Sequence, residues 1–211
     1  MLIKWFGHAS FQIDTSAGTI ITDPFNDELG YPMFPRRADV VTVSHQHWDH
    51  NTVENVSGSP QVFSAPGFYQ LEGMSIQGFP TFHDQKSGQE RGGNTVFKIS
   101  TEEINLLHLG DLGHILSQET AIEIGVVDIL LLPVGGNFTV DADAAYEIVG
   151  LLRPRIVIPM HFQTPHLSFR LAPVEEFTGK YEKVLKLPSL EISSQDLPNE
   201  TQIIVLDYLM G

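Results

Sequence analysis

Short apolar runs that stop abruptly at histidine, aspartate or glycine recur along this chain, and they constrain its fold more than any other feature. "ADVVTVSHQHWDH" at 38–50, "VDILLLPVGG" at 127–136 and "PRIVIPMHF" at 154–162 share the design. Each run is rich in aliphatic residues and bounded by polar or turn residues, so it reads as a buried strand with polar side chains gathered at its carboxyl end. Three strand ends on one rim are the expectation.

The remaining sequence fills out a layered αβ domain. "LIKWF", "SFQID" and "TIITD", with Ser16-Ala17-Gly18 as a turn, predict consecutive strands over residues 2–23. "MSIQGFPTFHD", "NTVFKIS" and "EINLLHLGD" predict further antiparallel strands, and "TQIIVLDYL" a closing one. Helices are expected at 117–126, 141–152 and 172–180, the middle one amphipathic through Asp143, Ala144, Tyr146, Ile148, Val149 and Leu152. Residues 25–37, with Leu29, Tyr31, Met33 and Phe34, show no period and read as a loop packed on its own domain. With 211 residues, 42% of them hydrophobic, and no linker or tandem repeat, one domain over 1–211 is expected.

Charge narrows the partners. Twelve basic residues against 26 acidic give a formal charge of −14, which disfavours nucleic acid and anionic membrane surfaces and leaves a small molecule as the expected substrate. A homo-oligomer is compatible with this composition. No cysteine is present, so disulfides, thiolate ligands and a thiol nucleophile are excluded, and any metal must be held by nitrogen and oxygen. The N-terminal "MLIKWFGHASF" lacks the pattern of a signal peptide and no apolar stretch is long enough to span a bilayer, so a cytoplasmic location is expected.

The octet "SHQHWDHN" at 44–51 concentrates the chemistry. His45 and His47 stand two apart, where extended backbone sends both side chains to one side, able to pinch one cation. Asp49 and His50 are adjacent and diverge on a turn toward a second. The octet thus supplies half of each of two sites, since divalent transition metals want about four ligands or more. Completing candidates follow other apolar runs: His83 in "PTFHDQ", Asp111 in "HLGDLGH" and His161 in "IPMHF". A carboxylate bridges two cations where an imidazole cannot, which suits Asp111 to the middle. His108 and His114 compete with His83, although alternation turns His108 away from Asp111 and into the core.

The H-x-H-x-D-H core, followed in order by an isolated His, a "GD" and a final strand-end His, resembles the metallo-β-lactamase superfamily over residues 8–166. By that resemblance His45, His47 and His83 hold one metal, Asp49, His50 and His161 the second, and Asp111 bridges. The implied fold is a four-layer αββα sandwich with a dinuclear site at one edge. "GHASF", "HDQKSGQERGGN" and "HLGDLGH" are similar to a compact group of zinc-dependent hydrolase-like proteins. Ascorbate-6-phosphate lactonase and the phospholipase D acting on N-acylphosphatidylethanolamine are longer, related branches. Three departures exclude other branches. No cysteine stands at Asp111, as in zinc β-lactamases. Position 47 is His where the oxygen-reducing diiron branch has Glu. A chain so short and acidic leaves little room for the insertions of the nuclease branches.

The implied activity is hydrolysis of an ester, lactone or phosphodiester bond in a small molecule, and the net positive charge of two metals would let that molecule be anionic. Two divalent metals, zinc first and manganese, iron or nickel as alternatives, would lower the pKa of a bridging water toward about 7 and polarise the oxygen under attack. Asp49 would orient that water and accept its proton, His114 or His8 would protonate the leaving group, and Asp23 would orient a ligand imidazole. Two rival readings are a mononuclear iron oxygenase of persulfide dioxygenase type and a non-catalytic metal-binding protein; the complete second ligand set argues against the first. Arg91 and Asn94 in "ERGGN" suit either an anion site or a plain turn.

Overall fold

The sequence pattern of residues 2–23 folds as three neighbouring antiparallel strands: β1 (Leu2–Gly7), β2 (Ser10–Thr15) and β3 (Gly18–Thr22). The structure, a computed structural model, describes residues 1–32 and 36–208; Met33 and Phe34 of the apolar loop lie outside them. In β1 and β2, Ile3, Trp5, Phe11 and Ile13 are buried in the main core. β5 (Val40–Thr42) and β7 (Gln61–Phe63) add parallel to β3, and β15 (Leu190–Glu191) closes the far edge, giving a six-stranded sheet. β4 (Arg36–Arg37) and β6 (Val56–Ser57) form a separate two-stranded pair.

A second sheet has eight strands. β8 (Gly67–Leu71), β9 (Met74–Phe82), β10 (Gly93–Thr101) and β11 (Ile104–His108) form an antiparallel meander. β12 (Ile129–Pro133), β13 (Ile156–Met160), β16 (Gln202–Leu206) and β14 (Val184–Leu187) continue it in parallel. Their crossovers carry α1 (Gln118–Ile124), α2 (Ala142–Leu152) and α3 (Glu175–Thr178). Parallel pairing requires such crossovers, and right-handed ones put the helices on one face of the sheet.

α2 buries Ala142, Ala145, Ile148, Val149 and Leu152, whereas Tyr146 is half exposed and Asp143 faces solvent. The buried stripe therefore runs through the small alanines, which let the helix approach the sheet, and not through Asp143 and Tyr146 as expected. One large apolar cluster joins both sheets and α2. A smaller one, with Phe25, Leu29 and Tyr31, packs with Val41 and Val43, so that loop does lie on its own domain. The two sheets and their coverings form the expected sandwich; among the described residues, coil and a short 3-10 turn at Asp27–Leu29 pack beside the six-stranded sheet. No helix among the described residues is long and apolar enough to cross a membrane.

This topology fixes where the chemistry falls. β1, β3 and β5 run in one direction in the first sheet, and β9, β11 and β13 run in one direction in the second. His8, Asp23 and His45 follow the carboxyl ends of the first three; His83, Asp111 and His161 follow those of the second three.

Candidate metal centre

Strand ends bring eight polar side chains into one buried cluster. His45 Nε2 lies 3.0 Å from His47 Nδ1, and the His45 and His83 rings are 4.8 Å apart. His45, His47 and His83 form one group able to hold an ion. The backbone at 45–47 is a bend past the end of β5, so the turn converges these rings and strand alternation does not.

His8, His50 and His161 form a second group. His8 Nε2 is 3.1 Å from His50 Nε2 and 3.2 Å from Asp49 Oδ2, and its ring centroid is 4.1 Å from that of His161. Asp111 stands between the groups. Its Oδ2 lies 3.2 Å from His83 Nε2, 3.3 Å from His50 and His161 Nε2, and 4.0 Å from His45 Nε2.

Asp23 sets the tautomers. Its Oδ2 accepts from His50 Nδ1 at 2.8 Å and from Ser44 Oγ at 2.5 Å, and its Oδ1 accepts from the Ser44 backbone N–H at 2.7 Å. Ser44 Oγ, having donated to Asp23, accepts from His45 Nδ1 at 2.9 Å. In its neutral form each of His45 and His50 therefore spends its one N–H on this network and aims a bare Nε2 lone pair toward the Asp111 carboxylate. Acceptor facing acceptor in a dry core is unfavourable unless a proton or cation lies between. Asp111 Oδ1 is likewise buried and has no hydrogen-bond partner among the described residues.

These atoms fit divalent metals. Four ligands at about 2.1 Å from a tetrahedral ion stand roughly 3.4 Å apart, close to the 3.0–3.3 Å separations within the cluster. The electrostatics agree. Burial opposes charge on Asp111, yet the surrounding His161 and His50 imidazoles hold its carboxyl well below the usual range. Burial lowers His50, but Asp111 and Asp23 reverse this and raise it well above an ordinary histidine. Burial and the His161 charge hold His8 at about 4, and burial with His50 holds His45 at about 3.

Two loop geometries make the approach possible. Gly7 has φ +112, and a Cβ there would stand 2.4 Å from the Tyr31 ring. Gly110 has φ +55, and a Cβ would meet Ser44 Cβ at 2.4 Å, so only glycine lets the Asp111 loop touch the His45 loop. His8 is left-handed at φ +52 and is held there because its carbonyl accepts from Trp5 Nε1 and the His161 N–H, at 3.0 and 3.1 Å.

Of the residues expected to handle protons, Asp49 lines the cavity of about 350 Å3 above the cluster, together with His83, Asp111 and His161. His8 is wholly buried behind it and joins the nitrogen group. His114 is not brought to the cluster. Its Nδ1 donates to the Ile115 carbonyl at 2.8 Å and its Nε2 accepts from the Phe82 N–H at 3.3 Å, so both nitrogens are committed to backbone. His108 donates to the Ala9 carbonyl at 2.8 Å from within the core. Asn94 also has no free donor. Its amide donates to Thr81 Oγ1 and the Leu109 carbonyl and its oxygen accepts the Asp111 N–H, which fixes that loop and leaves nothing for an anion. Ser44 was not singled out in the sequence; its one signal is its place immediately before His45.

Comparisons place the chain. The beta-lactamase superfamily domain family matches residues 2–161. The chain belongs to the metallo-β-lactamase superfamily. The crystal structure of a putative zinc-dependent hydrolase of that superfamily from Thermotoga maritima superposes with a TM-score of 0.83 at 39% identity, covering 97% of each chain. Metal-dependent hydrolases from Carboxydothermus hydrogenoformans and Thermoplasma volcanium are 32% and 30% identical, covering 85% and 77% of this chain and 92% and 83% of theirs.

Proposed function

We propose that this chain is a metal-dependent hydrolase holding two divalent cations, zinc foremost given its imidazole-rich donors, with residues 1–211 acting as one domain. His45, His47 and His83 would hold one ion. Asp49, His50 and His161, with His8 beside them, would hold the other, and Asp111 would join the two. The observation that carries this reading is the single Asp111 Oδ2 ringed by four imidazoles at 3.2–4.0 Å. Relatives named as metal-dependent hydrolases support it.

When bound, such ions supply Lewis acidity and make water reactive near neutral pH. The chain's own groups do the rest. Asp23 and Ser44 fix the Nδ1–H tautomers of the neutral His50 and His45 rings, which leaves each Nε2 for an ion. Burial works against charge on Asp49, but the hydrogen bond from His8 and the nearby His50 keep it ionised. It therefore orients water in the cavity by accepting its hydrogen, and it is the group positioned to pass that proton to a departing oxygen. The bond cleaved is an ester, lactone or phosphodiester of a small molecule.

Metal content measured by plasma mass spectrometry, on protein purified without chelators or a histidine tag, tests the reading. About two zinc or manganese ions per chain are expected, falling to about one or fewer in Asp111→Ala, together with loss of turnover on an ester, lactone and phosphodiester panel. Unchanged metal content in Asp111→Ala would remove the joining role.

A further inference from the structure

Two cavities meet beside the cluster. One, of about 350 Å3, covers Asp49, His83 and Asp111; the other, of about 530 Å3, extends past Pro66 and Thr81; His47 and Arg91 line both. Arg91 is the one lysine or arginine among the described residues to line either cavity. Among the described residues Arg91 forms no ion pair, as is also true of Arg37, Arg153 and Arg170, and it differs from these in lining both cavities. In a chain of charge −14, an unpaired cation at the junction of two cavities calls for an anion from outside.

The guanidinium is held ready. Its carbon lies 4.5 Å over the Phe138 ring, a cation–π contact that places the group, and among the described residues its N–H edges make no hydrogen bond. The backbone beneath it is fastened by Asp84, directly after His83. That carboxylate accepts the N–H groups of Lys86, Gly88, Glu90 and Arg91 at 2.7, 2.9, 3.0 and 2.8 Å. Four N–H groups on one carboxylate tie the loop at both ends. The backbone and the ring contact thus set the position of the group before any ligand arrives, which lowers the ordering cost of binding.

We propose that Arg91 sets the substrate class: it receives an oxyanion, carboxylate or phosphate, of a small molecule whose scissile bond lies over Asp111 in the smaller cavity and whose remainder enters the larger one. The inference rests on the hydrolase reading of the same centre. Hydrolysis adds one water across the bond, giving an acid and an alcohol, and the oxyanion on Arg91 is unchanged by it.

Calorimetry on the metal-loaded protein tests this with two probes, glutarate and 3-phosphonopropanoate. Arg91→Gln is expected to weaken binding by roughly tenfold, and Arg91→Lys to recover part of it by charge without the planar fork. The probe that loses more identifies the preferred oxyanion. In parallel, the ratio of kcat/KM for mono-4-nitrophenyl glutarate to that for 4-nitrophenyl acetate should fall by a similar factor in Arg91→Gln. Equal probe affinity in all three proteins at equal metal content would overturn the proposal. So would a Gln variant with lowered Tm and metal content that Lys does not rescue, since Arg91 would then serve packing on Phe138. A wild-type protein with full metal that turns over neither ester, yet binds the probes through Arg91, would instead count against the hydrolase reading alone.

Discussion

The two nitrogen groups use the same donors at different depths. In the first group His47 is half-buried and opens on both cavities; in the second His8 and His50 are wholly buried and line neither, and His161, 1% exposed, touches only the smaller one, so the second group is the more sealed. The sealed group is also better braced. Asp23 holds His50, and the strained His8 backbone is pinned by Trp5 and His161. The contrast teaches that one half of the centre is built to meet ligands and the other to stay put, because leaving a sealed site requires local opening of packed structure.

Removing the brace should have the largest effect. Asp23→Ala strips three hydrogen bonds from the core and leaves Ser44 and His50 donors unpaired, a loss of about 3 kcal/mol or more. Urea denaturation and metal analysis should show both the destabilisation and loss of the ion assigned to the sealed group. Wild-type metal content in a folded Asp23→Ala protein would erase the proposed difference in bracing.

Metal release sharpens the contrast at a smaller scale. A chelator mixed with the holoprotein should remove the ions in two phases, with the fast phase belonging to His45, His47 and His83. His8→Ala should speed the slow phase by roughly tenfold, equivalent to about 1.4 kcal/mol. A single phase in the wild type would mean that depth does not control exchange.

An effect that is small per pH unit is expected on the pH dependence of metal-stripped protein. His8 and His45 are held at about 4 and about 3 in the fold, against about 6.5 when unfolded. Between those limits the unfolded chain binds more protons, so stability falls as pH drops from about 6.5 toward 4, by up to about 1.4 kcal/mol per pH unit for each group. His50 has the opposite sign. Its raised value contributes fully below about 6.5 and is lost as pH rises through the folded value. Thermal melts of His8→Gln and His45→Gln should each flatten the acid limb, and an acid limb identical to the wild type's in both would refute the assignment.

Much of the fold is legible in the sequence because its central strands are buried on both faces and read as apolar runs. β12 and β13 are examples, and "SHQHWDHN" follows β5 directly. The edge strands β7, β8 and β14 are not legible. Val62, Phe68 and Leu185 are largely exposed, and pairing with neighbours, not burial, makes these segments extended. The face of α2 was misread because Ala142 and Ala145 weigh little in a hydrophobic pattern, although they are the residues that allow close packing.

The sequence by itself determined the chemistry available to this protein. Cysteine-free, histidine-rich strand ends restrict it to nitrogen and oxygen ligands, and the spacing in the octet divides them between two positions. Only the tertiary structure decided that His8 joins the second group, that His114 turns away, that Ser44 relays Asp23 to His45, and that Arg91 stands where two cavities meet. The reason is distance along the chain. His8 meets Asp49 and His50 across 41 and 42 residues, and Asp23 meets His50 across 27. Those encounters depend on how the strands of two sheets are ordered, which no local pattern encodes.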